Sequence, residues 1–110
     1  MMKTLSNLSD IDDFIAQNRL AVLYVSAPKC GVCTVMKPKI RAVIDEFDGV
    51  ASGAVGIEAV PEIASFYHIL TAPAVLIFAD GKEIWRGARF IDVMDFENTL
   101  AQYHLTMQYS

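Results

Sequence analysis

Cysteine is scarce in this chain, basic residues are outnumbered, and long apolar runs are missing; each lack removes a class of function. Lys and Arg number 9 against 13 Asp and Glu, a formal net charge of −4, so the basic excess of a general nucleic-acid binder is absent. No apolar run approaches the roughly 18 residues of a membrane span, and no membrane partner is expected. The stretch from Met1 to Asp10 lacks the continuous apolar core of a secretion signal, which makes the expected location cytoplasmic. In that reducing compartment the 2 cysteines read as catalytic or metal-binding rather than as a structural bridge. Repeats, linkers and low-complexity tracts are also missing, so residues 1–110 are expected to form one domain and to act as a monomer. What is present fits an α/β fold: 54% hydrophobic and 20% charged residues exclude disorder and suit a sheet covered on both faces.

The organising stretch runs from Leu20 to Ile40. Leu20-Ala21-Val22-Leu23-Tyr24-Val25 reads as a strand buried on both faces. From Cys33 onward, Met36, Ile40, Val43, Ile44 and Phe47 keep the i, i+3, i+4 spacing of a helix with one face on a sheet, and Asp48-Gly49 stops it. Cys30 and Cys33 therefore fall where a strand turns into a helix. Unpaired N–H groups and the helix dipole favour an anion there, so a Cys30 thiolate with Lys29 beside it is expected to form more readily than a free one. Cysteines at i and i+3 in a first turn bring their Cα atoms to roughly 5–6 Å, the separation of a disulfide.

Other elements follow from spacing and turn chemistry. Lys3 to Leu5 is a candidate first strand. Ser9-Asp10-Ile11-Asp12 reads as a capped helix start, with Ile11, Phe14 and Ile15 as its apolar face to about Asn18. Pro38 should bend the long helix without ending it. Ala51 to Ile57 reads as a glycine-weakened strand. Val60-Pro61-Glu62 begins a short helix with Ile63, Ala64, Phe66 and Tyr67 inward. Ala74 to Ala79 is a second buried strand, Asp80-Gly81 a hairpin turn into Glu83 to Arg86, and Asp92 begins a last helix with Val93, Phe96, Leu100 and Tyr103 inward. The order is βαβαβαββα, a mixed sheet with helices on both faces: the early crossovers imply parallel strands and the hairpin an antiparallel edge.

Two features carry more than one reading. Cys-x-x-Cys also opens zinc sites, but the remaining soft donors, His68 and His104, do not stand at the spacing of a compact zinc motif, which leaves a metal shared across a dimer as the metal alternative. Lys29, Lys37, Lys39 and Arg41 fall in a window without an acid, leaving −8 for the rest of the chain. They read first as a solvated helix face, and second as a basic rim that stabilises a thiolate and steers acidic partners. Trp85 alternates out of phase with Ile84 on a candidate edge strand and is assigned to packing.

Lys29-Cys30-Gly31-Val32-Cys33 with Pro38, and Thr71-Ala72-Pro73-Ala74 before a buried strand, resemble the marks of the thioredoxin family in the family's order. The resemblance implies a thioredoxin-like fold and a thiol-disulfide oxidoreductase in which Cys30 attacks a protein disulfide and Cys33 resolves the mixed disulfide. It implies no cofactor beyond the redox-active Cys30–Cys33 pair, protein disulfides as substrates, and an electron donor that the sequence does not identify. It makes Pro73 a cis proline facing the cysteines, Ala72 a strand-like docking edge, and Lys29, Gly31 and Val32 part of the substrate-binding rim. Four positions depart from the family pattern. Lys29 replaces an aromatic residue and Val32 a proline, changes that alter docking and redox poise. Tyr24 replaces a buried acid and Ala54 a lysine, which removes a buried proton-transfer pair, and Glu58 stands at the end of the neighbouring strand. A non-catalytic adaptor that holds a partner on the same surface is the rival reading.

Overall fold

In the computed structural model, which describes residues 2–108, the central sheet is ordered β1-β3-β2-β4-β5. Its strands are β1 (Lys3–Thr4), β2 (Leu20–Ser26), β3 (Ala51–Gly56), β4 (Ala74–Ala79) and β5 (Lys82–Ala88). The helices are α1 (Leu8–Gln17), α2 (Gly31–Ile44), α3 (Ile63–Phe66) and α4 (Val93–Gln108). β3 lies parallel to both β1 and β2, whereas β4 runs antiparallel to β2 and to β5. The architecture is therefore the α/β mixed sheet expected.

β2 and β4 are buried at every position from Leu20 to Val25 and from Ala74 to Ala79, because helices cover both faces of the sheet. Side-chain alternation divides the core in two. Leu23, Val25, Leu76 and Phe78 point into a layer with Ile11, Phe14, Ile15 and Ile63 from α1 and α3. Val22, Tyr24, Val75 and Ile77 point into the other, with Ile40, Val43 and Ile44 of α2 and Phe96 and Leu100 of α4. Trp85 packs on this second layer, tilted against Phe96 at 5.5 Å, as its assignment to packing anticipates.

Several boundaries differ from expectation. The first helix is capped by Asn7, whose side chain accepts the Asp10 N–H at 2.8 Å, rather than by Ser9. β1 stops at Thr4 and β3 at Gly56; Leu5 and Ile57 are carried onward by single backbone bonds to Ala54 and Ser26. α2 ends at Ile44, so Phe47 reaches the core from the following turn. α3 is a single turn with Ile63 buried; Phe66, expected inside, is 67% exposed because the helix ends before a second turn can carry it inward. β5 extends past Arg86 to Ala88, which brings the chain back to β4's start at Ala74. Gly53 allows close packing, since a Cβ there would lie 2.7 Å from the Leu5 side chain and 3.2 Å from Phe14. The Asp80-Gly81 turn has both φ values positive, 49° and 83°, the backbone that a two-residue hairpin requires.

Candidate functional site

The carboxyl end of β2 delivers the chain to a tight entry into α2. Lys29 adopts φ 57°, in the left-handed region, and Cys30 returns to extended backbone as the N-cap residue. Its Sγ takes the role that an oxygen usually plays: the Cys33 N–H donates to it at 3.1 Å. A sulfur in that place faces the positive end of the helix, where charge on it is favoured. Cys30 and Cys33 are joined as a disulfide with Cα atoms 5.2 Å apart, and Cys33 is only 4% exposed while Cys30 is half-buried. The outer sulfur is thus Cys30 and the inner one Cys33.

Beneath the pair lies Tyr24. Its hydroxyl donates to the Cys33 carbonyl at 2.6 Å, and burial pushes its pKa up to about 12. Ala54, paired with Tyr24 across the strands, adds no polar group. Tyr24 and Ala54 therefore bring a neutral donor and no charge to the site.

The Ala72–Pro73 peptide bond is cis. Val25 of β2 pairs with Ala74 of β4, which places this turn at the same end of the sheet as the loop leading to Cys30. Pro73 is buried and Ala72 half-buried, and the Pro73 carbonyl accepts the Arg89 N–H at 2.7 Å, tying the turn to the segment after β5. Gly31 and Val32 are exposed at the start of α2. Val32 shares a depression of about 350 Å³ with Met36, Arg89, Phe90 and Ile91. Arg89 and Phe90 escaped the sequence reading, which left 87–91 unassigned. An aromatic residue between a strand and a helix carries no periodic signal saying whether it is buried, and Phe90 is 85% exposed.

The basic window divides. Lys29, Lys37 and Arg41 line a hollow of about 620 Å³ together with Cys30 and Cys33, whereas Lys39 is exposed elsewhere on α2. Three of the four cations thus stand around the cysteines. His68 is exposed, does not line the hollow, and lends its carbonyl to Arg86. His104 lies on α4 against the Phe47 ring, with Nε2 2.8 Å from the Asp48 carbonyl. Among the described residues, no three His, Cys, Asp or Glu side chains gather in a way that could hold a metal. No helix is long and apolar enough to cross a membrane among them.

Comparison with known proteins gives one consistent outcome. A family model described as Thioredoxin matches residues 3–102. Thioredoxin-like protein YdfQ of Bacillus subtilis (strain 168) is 34% identical over 103 residues, covering 94% of this chain and 92% of that protein. The thioredoxin of Mycoplasmoides gallisepticum is 27% identical over 99 residues, covering 90% of this chain and 99% of its own. Among solved structures, a mutant thioredoxin from Halobacterium salinarum has a TM-score of 0.83 at 20% identity, covering 93% of this chain and 89% of that one. The X-ray structure of Fasciola hepatica thioredoxin has a TM-score of 0.82 at 26% identity, covering 93% and 99%.

Proposed function

Since this chain belongs to the thioredoxin family, a family of thiol-disulfide oxidoreductases acting on protein disulfides, we propose that Cys30 is its attacking sulfur and Cys33 its resolving one. The reduced Cys30 thiolate attacks one sulfur of a substrate disulfide; that S–S bond breaks, a Cys30–substrate disulfide forms, and the displaced thiolate takes a proton. Cys33 then gives up its proton and attacks the Cys30 sulfur, closing the intramolecular disulfide and releasing the second substrate thiol. Two electrons leave the dithiol, so a separate two-electron donor, which the sequence does not identify, restores it. No organic cofactor or metal enters this scheme.

The observation that carries the reading is the N-cap role of Cys30, with the Cys33 N–H aimed at its Sγ while Cys33 itself is buried. Accessibility and helix-end stabilisation favour the same sulfur. The Ala72–Pro73 turn supplies the edge along which a substrate segment would lie, and Lys29, Gly31 and Val32 the rim around the attacking sulfur. Cytoplasmic location and action as a monomer complete the proposal.

Alkylation of the reduced protein near neutral pH should modify Cys30 well before Cys33; equal rates or the reverse order would sink the assignment. Cys33→Ser should accumulate mixed disulfides through Cys30, and Cys30→Ser none. Because Tyr24 stays protonated, the Cys33 proton goes to solvent, and decay of the mixed disulfide should climb with pH toward the range of a free thiol. A plateau well below that range would mean that another base, Glu58 or His68 first, takes the proton. A wild-type protein that reduces no disulfide would instead support the adaptor reading.

A further inference from the structure

We propose that the hollow beside Cys30 takes the carboxylates of an acidic protein segment, so that the preferred substrates are protein disulfides whose cysteine is flanked on one side by Asp or Glu. The proposal rests on the oxidoreductase reading above and adds the substrate class.

The argument begins with helix geometry. Thr34, Lys37 and Arg41 follow Cys30 at spacings of four, seven and eleven, which puts them on one face of α2 in line with the sulfur. With Lys29 they present three cations and one hydroxyl to a hollow of about 620 Å³ that no Asp or Glu lines. Tyr24 and Ser26 of β2 also line it. The neighbouring strand adds only small residues beside them, Ala54 next to Tyr24 and Gly56 next to Ser26, and the Glu58 carboxylate lies against Gly56, outside the lining of the hollow.

Charge decides what fits. Among the described residues the ion pairs are Arg19–Asp80 and Arg86–Glu83, and neither uses Lys29, Lys37 or Arg41. A chain of net charge −4 thus gathers three cations around one concavity whose lining includes no carboxylate. A cleft lined by one sign of charge concentrates ligands of the opposite sign, and carboxylates offer acceptors to ammonium, guanidinium and hydroxyl donors alike.

The other flank of α2 favours a polypeptide over a free small anion. Cys33, Ile40, Val43 and Ile44 form the stripe that α2 buries, and across it from the cations lie Val32 and Met36 at i, i+4. These join Phe90 and Ile91 in a depression of about 350 Å³ that Arg89 and Asp92 also line, with Val32 51% and Phe90 85% exposed. A segment crossing Cys30 can put carboxylates in the hollow and a bulky apolar side chain against Phe90. A small anion uses only the first.

The test uses two fluorescein-labelled, cysteine-free peptides with a leucine on one flank and either Glu-Asp or Lys-Lys on the other, titrated against the oxidised full-length protein by anisotropy. The acidic peptide should bind about tenfold more tightly at low salt, and the advantage should shrink as salt screens it. It should vanish in Lys37→Glu/Arg41→Glu and survive in Lys39→Glu, whose charge lies outside the hollow; Lys37→Gln/Arg41→Gln serves if the reversed pair fails to fold. Equal binding of the two peptides, or a preference that survives loss of Lys37 and Arg41, overturns the proposal. So does succinate displacing the acidic peptide at the peptide's own concentration, which would mean a small-anion site. Reduction of the same peptides built around a disulfide should show the same preference. Failure of the wild type to reduce a small neutral disulfide would overturn the oxidoreductase reading, while the binding comparison would still decide the hollow.

Discussion

Tyr24 shows how far one side chain can set the chemistry of a site. At 1% exposure it is among the largest fully buried side chains, yet its hydroxyl is satisfied by the Cys33 carbonyl, so it anchors the first turns of α2 to β2 from below. Tyr24→Phe keeps the ring and loses that bond, at a cost of about 1 kcal/mol measurable by denaturant titration. The phenol also gives the protein an alkaline limit. Its pKa rises from 10.0 to about 12 on burial, so the unfolded chain loses its proton first. The stability it contributes is fully present below about pH 10 and is lost as pH climbs toward about 12. Tyr67 is raised too, by burial and then by its bond to the Asp12 carboxylate. Tyr24→Phe should therefore flatten the alkaline loss of stability only in part. An unchanged pH profile in that variant would show that Tyr24 does not titrate late.

Among the elements, α2 and α4 share one face of the sheet and meet near the end of α2, where like charges approach. A hydrogen bond with Glu97 first, and then the charge of Glu97, hold the Glu46 carboxyl above its ordinary range. A raised carboxyl contributes stability below its unfolded pKa and loses it as pH rises through the folded value, so at neutral pH the two carboxylates oppose docking. Glu97→Lys should raise the Tm at pH 7 and reverse the sign of this local pH dependence. A lower Tm at pH 7 would mean that the glutamates are held by interactions other than their mutual repulsion. On its other side α4 is fixed by Trp85, whose Nε1 donates to Asp95 at 3.0 Å, and this bond ties the edge strand β5 to the helix.

For the molecule as a whole, the question is whether the two packed layers behave as one unit. Leu76 and Ile77 are neighbours on β4 and both 0% exposed, but they point into opposite layers. Leu76→Ala and Ile77→Ala should each lower stability by about 2–5 kcal/mol. In both variants the fluorescence of Trp85, which sits on the α2 and α4 side, should report the same transition as far-UV circular dichroism, because the shared strands couple the layers. Separate transitions would show that one layer melts alone, against the single-domain expectation.

Local signals along the chain were enough to define the elements and the redox pair. Runs of buried residues in β2 and β4, a helical stripe through Ile40 and Ile44, and Asp-Gly in the hairpin each appear in the fold within a few residues of their expected place. Cys30 and Cys33 were legible because their separation is set by one helical turn. Where the signals were weak the boundaries slipped: Asn7 and Ser9 are both cap-forming residues, and helical spacing turns Phe66 inward only if α3 continues beyond its single turn. Long-range packing had to settle that β4 runs antiparallel to β2, since the direction of a strand after α3 depends on the whole sheet. The same packing brought Phe90 beside Val32 and gathered Lys29, Lys37 and Arg41, but not Lys39, around one hollow. Spacing along a helix fixes which side chains share a face; what that face meets is set by segments distant in sequence, as Phe90 beside Val32 shows.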